Sequence, residues 1–236
     1  MDRTLFVGTA GWSVPRAQAD AFASEGSQLE RYSARMNCVE INSSFYRAHR
    51  TQTYRRWAQS TPDDFRFAVK LPKQISHESR LVDSASLLRD FASGARGLGD
   101  KWAILLVQLP PSLAFNADVA QRFFEQVRDV YRGAVVCEPR HASWFEPEVD
   151  RLLKTAEVAR VAADPSKWPG AAEPGGWKGV RYFRWHGSPK LYWSSYDEAW
   201  LKERAQALAG RECWCIFDNT ASGAALSNAC QFLETV

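Results

Sequence analysis

Glu138, Arg140, His141 and Trp144 crowd together directly after the apolar run Ala134-Val135-Val136-Cys137. A buried run rich in β-branched residues admits Glu and Arg only where it leaves the packed layer, because an unpaired buried charge is costly or neutralises. The polar residues therefore mark the carboxyl end of a strand. Other apolar runs end the same way: in Glu40 and Asn42, in Lys70, in Gln108, in Arg184 and His186, and in Asp218 and Asn219. A carboxylate among apolar walls has its pKa raised toward the working range, which makes Glu40 and Glu138 acid or base candidates. His141 and His186, each following an arginine at a strand end, suit proton transfer near neutral pH. Lys70, Arg140 and Arg184 suit an anion clamp, guanidinium offering a bidentate fork and ammonium a point charge. Asn42, Gln108 and Asn219 would orient the substrate, and Trp144 would wall it. A structural reading fits the same residues: Glu138 pairs with Arg140, Arg184 or Lys70 in a barrel-closing network, and the histidines are neutral and satisfied by backbone. His77, in Ser76-His77-Glu78, is either a lid residue or solvated, and His49 reads as surface.

The elements that must position these residues follow from periodicity. Leu5 to Val7 reads as a first strand with a glycine-bearing exit, Gly8 to Gly11. Cys38 to Asn42 puts Val39 and Ile41 on one face and Glu40 and Asn42 on the other, and Phe65 to Leu71 alternates likewise. Trp102 to Leu109 is closed by Pro110-Pro111. Strands also read at 134–138, 158–163, 180–185 and 213–217. Helices read at 29–36, 51–60, 84–95, after an Asn116 cap, at 147–156, at Asp197 to Ala209 and at 223–233. Eight strands, mostly followed by helices, favour an α/β TIM-like (β/α)8 barrel in one domain over 1–236, with a doubly wound open sheet as the competing topology. Parity favours the barrel: strands two, five and seven each keep an apolar-only face for helices, while the polar face converges inside.

Composition narrows the function classes. The 236 residues are 45% hydrophobic and 24% charged, with a net charge of +3. That is an ordinary globular composition, too mildly basic to announce a nucleic-acid binder. Five cysteines, mostly in apolar strands, read as packed thiols of a reducing compartment, and no signal peptide or membrane span is indicated, so the cytoplasm is expected. No cofactor is implied. Glu40, Glu138, Asp164 and Asp218 are oxygen donors that would suit Mg²⁺ or Mn²⁺ better than zinc, but no metal-ligand spacing is present. Trp12, Trp144, Trp168, Trp177 and Trp193 fall in loops after strands, either walling a crevice for a sugar or base or pinning loops to the rim. Gly8-Thr9-Ala10-Gly11 matches neither GxGxxG nor a P-loop.

The order of Gly8-Thr9-Ala10-Gly11-Trp12, Val39-Glu40-Ile41-Asn42 with Phe45-Tyr46, Phe65-Arg66-Phe67 through Lys70, Leu106 through Pro110, Glu138 with Arg140-His141 and Ser143-Trp144, Arg184 with His186-Gly187, and Asp218-Asn219 with Gly223-Ala224 resembles the DUF72 (YecE-like) family along nearly the whole chain. The resemblance implies a TIM-like barrel and supplies no reaction. Three functional readings follow. The first is an enzyme that uses acid–base chemistry on a small anionic, phosphorylated or sugar-containing substrate at the carboxyl-end mouth. The second is a non-catalytic module that binds nucleic acid or a protein partner. The third is a metal-assisted phosphoester hydrolase.

Overall fold

Period-two alternation and helical stripes organise the computed structural model, which describes residues 5–208 and 213–236. The order is β1 (Leu5–Thr9), α1 (Gln28–Ser33), β2 (Cys38–Ile41), α2 (Ser43–Tyr46), α3 (Thr51–Gln59), β3 (Arg66–Lys70), α4 (Ala85–Ala95), β4 (Trp102–Gln108) and α5 (Ala117–Val130). It continues through β5 (Ala134–Glu138), α6 (Pro147–Thr155), β6 (Val158–Arg160), β7 (Ala162–Asp164), β8 (Gly175–Gly176), β9 (Tyr182–Trp185), α7 (Glu198–Leu208), β10 (Cys213–Phe217) and α8 (Ala224–Thr235). Ala209, where the sequence places the end of the helix before β10, lies outside the described residues.

Parallel ladders run β2-β3-β4-β5-β6 and β1-β10-β9-β7. Two seams join them into a TIM-like barrel with eight strand positions. At one seam β6 pairs with β5 and β7 with β9, and Val161 between them still donates its N–H to Cys137 O at 2.8 Å. The sequence predicts one strand over 158–163; the observed strand bends at Val161 to change partners, and no backbone donor is lost there. At the other seam Ala10 bridges Glu40, and the Asn37 side chain acts as a substitute strand, accepting from Val7 N at 2.8 Å and donating to Leu5 O at 2.9 Å.

β1 runs through Gly8 and Thr9, beyond the Val7 end read from the sequence. The backbone donors of this glycine-bearing stretch are engaged: Thr9 N on the Tyr32 hydroxyl, Ala10 N on Phe217 O and Gly11 N on Glu40 O. Gly8 is required by proximity, since a Cβ there would collide with the Cys38 carbonyl and lie 2.9 Å from Tyr32 Oη.

Two apolar layers result. Outside the barrel, Val39, Ile41, Val69, Val107, Val135, Cys137 and Phe217 meet the helices. α5 shows the matching stripe, Ala120, Phe123, Phe124 and Val127, and is capped by Asn116 Oδ1 accepting from Val119 N at 3.0 Å. Inside, Trp214 stacks on Phe6 and Tyr182 at 4.7 and 6.0 Å between centroids and fills the amino-terminal end. With its floor plugged, the barrel has room for polar groups only at its carboxyl end. Residues 165–181 cross from β7 to β9 without a helix and add β8 antiparallel to β6. A cleft of about 920 Å³ between α6 and α7 remains, lined by Phe183, Trp185, Trp200, Arg160 and Arg204. Among the described residues no helix is long and apolar enough to cross a membrane.

Candidate functional site

The inner layer contains Cys38, Ala68, Leu106, Val136, Tyr182 and Ile216. Two residues further along each strand, on the same face, come Glu40, Lys70, Gln108, Glu138, Arg184 and Asp218. Six strands thus deliver one polar side chain each to a single ring above an apolar floor. All six are buried, Arg184 and Glu40 completely.

Arg184 holds the ring together. Its Nε and Nη2 form a fork on Glu40 Oε2 and Oε1 at 3.0 and 2.8 Å, its Nη1 meets Glu138 Oε2, and its Nη2 also reaches Asp218 Oδ2 at 2.8 Å. The Tyr182 hydroxyl adds a donor to Glu40 Oε2 at 2.9 Å. His186 spans two carboxylates, with Nδ1 3.0 Å from Asp218 Oδ2 and Nε2 3.1 Å from Glu138 Oε1. A neutral imidazole has one N–H, so two carboxylate acceptors call for the imidazolium. Burial opposes that charge, but Glu138 and the two hydrogen bonds outweigh it and raise the His186 pKa. Arg140 donates to Glu138 Oε1 through Nε and Nη2 at 3.2 and 3.0 Å, and to the Tyr192 hydroxyl at 2.8 Å. Burial would push Glu138 and Asp218 up; Arg184 leads the cations that instead hold Glu138 well below the usual carboxylate range and Asp218 below its own.

Beside this network, three groups have polar atoms with no partner at all among the described residues. Lys70 Nζ has no hydrogen-bond or ion-pair partner among the described residues and lies 4.4 Å from the centroid of the Phe45 ring. Burial, then the Arg184 charge, lowers its pKa to about 8 although three carboxylates pull the other way. The Gln108 amide and Asp218 Oδ1 are likewise without a partner among the described residues. The ring can therefore receive an anion at Lys70 and a proton at Asp218 Oδ1. Arg140 keeps two of its five N–H donors.

The carboxylates do not form a metal site. Glu40, Glu138 and Asp218 converge on the Arg184 guanidinium, which occupies the place a cation would take, while Asp164 accepts from the Tyr196 hydroxyl at 2.7 Å. Among the described residues no group of three or more His, Cys, Asp or Glu side chains is arranged to hold a metal ion.

Of the other sequence-derived candidates, His141 stands at the rim and caps the turn Ala142–Phe145, its Nδ1 accepting from Ser143 N at 3.2 Å. That cap turns Trp144 inward, so Trp144 leaves the mouth: it is 1% exposed, donates to Leu113 O at 2.9 Å and packs on Phe115. Asn219 donates to Ser194 O and Asn228 Oδ1, both at 2.9 Å, and supports the loop after β9. Asn42 precedes α2, its Oδ1 buried without a partner. The Trp168 indole N–H reaches Arg140 O at 3.4 Å, whereas Trp177 is half-buried against the inner apolar cluster, its backbone N–H on Val158 O at 2.9 Å. Asp218 reads in the sequence only as an oxygen donor, although it shares the parity of Trp214 and Ile216 and so falls on the inner face. Tyr182 and Tyr192 carried no signal, because their partners lie far away in the chain.

The comparisons agree with this architecture. A DUF72 family protein from Enterococcus faecalis V583 superposes with a TM-score of 0.81 at 19% identity, covering 98% of this chain and 94% of that one. UPF0759 protein YecE of Escherichia coli O157:H7 is 32% identical over 166 residues, which is 68% of this chain but only 59% of that relative's length. UPF0759 protein YunF of Bacillus subtilis is 23% identical over 98% of this chain and 94% of its own length. The model of the family described as "Protein of unknown function DUF72" matches residues 6–236, and the chain therefore belongs to the DUF72 family.

Proposed function

We propose that the barrel mouth is the active site of an enzyme that binds a small anionic substrate, phosphorylated or sugar-containing, and moves a proton on it. The observation that carries this reading is Lys70: a buried ammonium without a counter-ion, beside carboxylates that are already matched by other cations. A purely structural network gains nothing from an extra unpaired charge, since burial penalises it. An anionic ligand supplies the missing partner. In this reading Lys70 and Arg140 anchor the anion, and Gln108 orients the substrate. Asp218 Oδ1 accepts or returns the proton, with His186 and Glu138 relaying it; Arg184 and Glu40 are positioning residues that keep the carboxylates ionised and in place. Site chemistry of this kind draws on a low-dielectric, pre-organised environment, and the complete burial of Arg184 supports that.

The test is a thermal-shift screen of the wild-type chain and of Lys70→Met plus Arg140→Ala against phosphorylated sugars, nucleotides and small carboxylates. Binding to the native state alone raises the melting temperature by mass action, worth about 2.7 kcal/mol at a hundredfold excess over Kd. The expected result is one anionic class that stabilises the wild type and not the variant, followed by turnover of that class. Hits that ignore the variant, or none, would make the cations structural. A second reading, a non-catalytic module for nucleic acid or a protein partner, draws on exposed Tyr46, Leu191 and Trp193, the last with Lys190 Nζ 4.4 Å from its ring centroid. Nucleic-acid binding that falls steeply with salt would favour it.

A further inference from the structure

His77 lies on the turn Gln74–Glu78 that follows β3. Its ring meets Phe45 edge-on, with centroids 4.9 Å apart at 83°, and Phe45 is the ring that Lys70 also faces. One aromatic side chain is thus a shared floor for both groups. His77 Nδ1 stands 2.9 Å from Ser76 Oγ, and Nε2 has no partner among the described residues. The charges acting on His77 come from Lys70 on β3, from Arg140 after β5 and from Glu78 on its own turn, whose carboxylate is 3.2 Å from Lys73 Nζ. Burial first, then Lys70 and Arg140, lower the His77 pKa, Glu78 opposing, so the imidazole is neutral at pH 7.

Charge balance shows what this arrangement selects. Glu40, Glu138 and Asp218 are matched by Arg184, Arg140 and the His186 imidazolium, which leaves Lys70 as the uncompensated charge. A monoanion cancels it. A dianion leaves one negative charge unmet and reverses the field that keeps His77 neutral. We propose that His77 completes, with Lys70 and Arg140, a three-point seat for a phosphoryl dianion, and that its imidazole takes up a proton from solvent as the dianion binds. The inference rests on the anion-binding reading of the mouth and adds to it the class of anion and the residue that selects it. The imidazolium Nε2–H becomes a charge-assisted donor to one anionic oxygen, while Lys70 and the free Arg140 donors serve the others.

Calorimetric titration at pH 7.0 in two buffers of different ionisation enthalpy tests it. Inorganic sulfate is the probe, a dianion that does not itself titrate there, and acetate is the monoanion control. Lys70, with its pKa at about 8, is already about nine-tenths protonated at that pH and contributes only about 0.1 proton. We expect sulfate to bind the wild type with uptake of about half a proton or more, and acetate to bind with none. His77→Gln should lose that uptake and bind sulfate about tenfold more weakly, in keeping with one lost charge-assisted bond. The chain has four histidines, so the imidazole ¹⁵N shifts of the wild type report the same protonation without any variant. Sulfate binding without uptake, or uptake that persists in His77→Gln and so belongs to another group, overturns the inference and leaves the anion reading standing. Failure of both anions to bind overturns both.

Discussion

Replacing Lys70 by Met should stabilise the protein while removing its anion affinity. The ammonium is buried without a partner, and its pKa falls from 10.5 to about 8. That difference corresponds to about 3 kcal/mol against the charged form at neutral pH. The sign follows from proton binding: between about pH 8 and 10.5 the unfolded chain holds the proton that the folded chain has lost, so stability rises with pH across that window. Below pH 8 the full cost is present. Met keeps the unbranched stem against Phe45 and deletes the charge, so Lys70→Met at pH 7 should gain about 1–3 kcal/mol and raise Tm by roughly 3–10 °C. Urea unfolding at pH 7 and pH 10 measures the effect, and the advantage should shrink below about 1 kcal/mol at the higher pH as wild-type Lys70 deprotonates. A variant that is less stable than wild type at pH 7, or a difference that ignores pH, would refute the reasoning. Either would mean that attraction to Glu40, Glu138 and Asp218 exceeds the burial cost.

Arg184→Met should be the opposite case, since it strands three buried carboxylates; a loss of about 3–5 kcal/mol is expected, read as urea midpoint or as failure to accumulate folded protein, and a loss under about 1 kcal/mol would contradict the network. His186, whose pKa is raised, contributes stability fully present below about pH 6.5 and lost as pH rises through its folded value. Glu138 and Asp218, whose pKa values are depressed, contribute stability present above about pH 4.5 and lost as pH falls through their folded values. The combined contribution of these three groups should therefore be greatest between these limits. The wild-type advantage over His186→Asn should be largest below about pH 6.5 and fade as pH rises through the folded His186 value; a pH-independent difference in chemical denaturation would show His186 to be uncharged in the fold.

Strand ends were legible in the sequence because a period of two is a local property: Val136 to Glu138 and Leu106 to Gln108 state their faces without reference to the rest of the chain. The barrel followed from that parity repeated on several strands. The bend at Val161 was not legible, since 158–163 reads as one continuous strand and only barrel closure asks it to change partners. Trp144 was misplaced for a related reason: His141 caps the turn through a side-chain bond that spacing does not announce, and the cap decides which way the indole points. Within the site, the cations and carboxylates were visible as types, but Arg184 and Glu40 are 144 positions apart and pair only once the barrel is closed. Spacing therefore left the anion clamp and the structural network as competing accounts of the same residues. Geometry divides those residues between the two accounts. The charges of Arg184, Glu40 and Glu138 are met by one another and by Arg140 and His186, whereas Lys70 Nζ, the Gln108 amide and Asp218 Oδ1 have no partner among the described residues. A buried polar group left unpaired costs stability in every molecule of the population, and a ligand that completes it returns that cost as affinity.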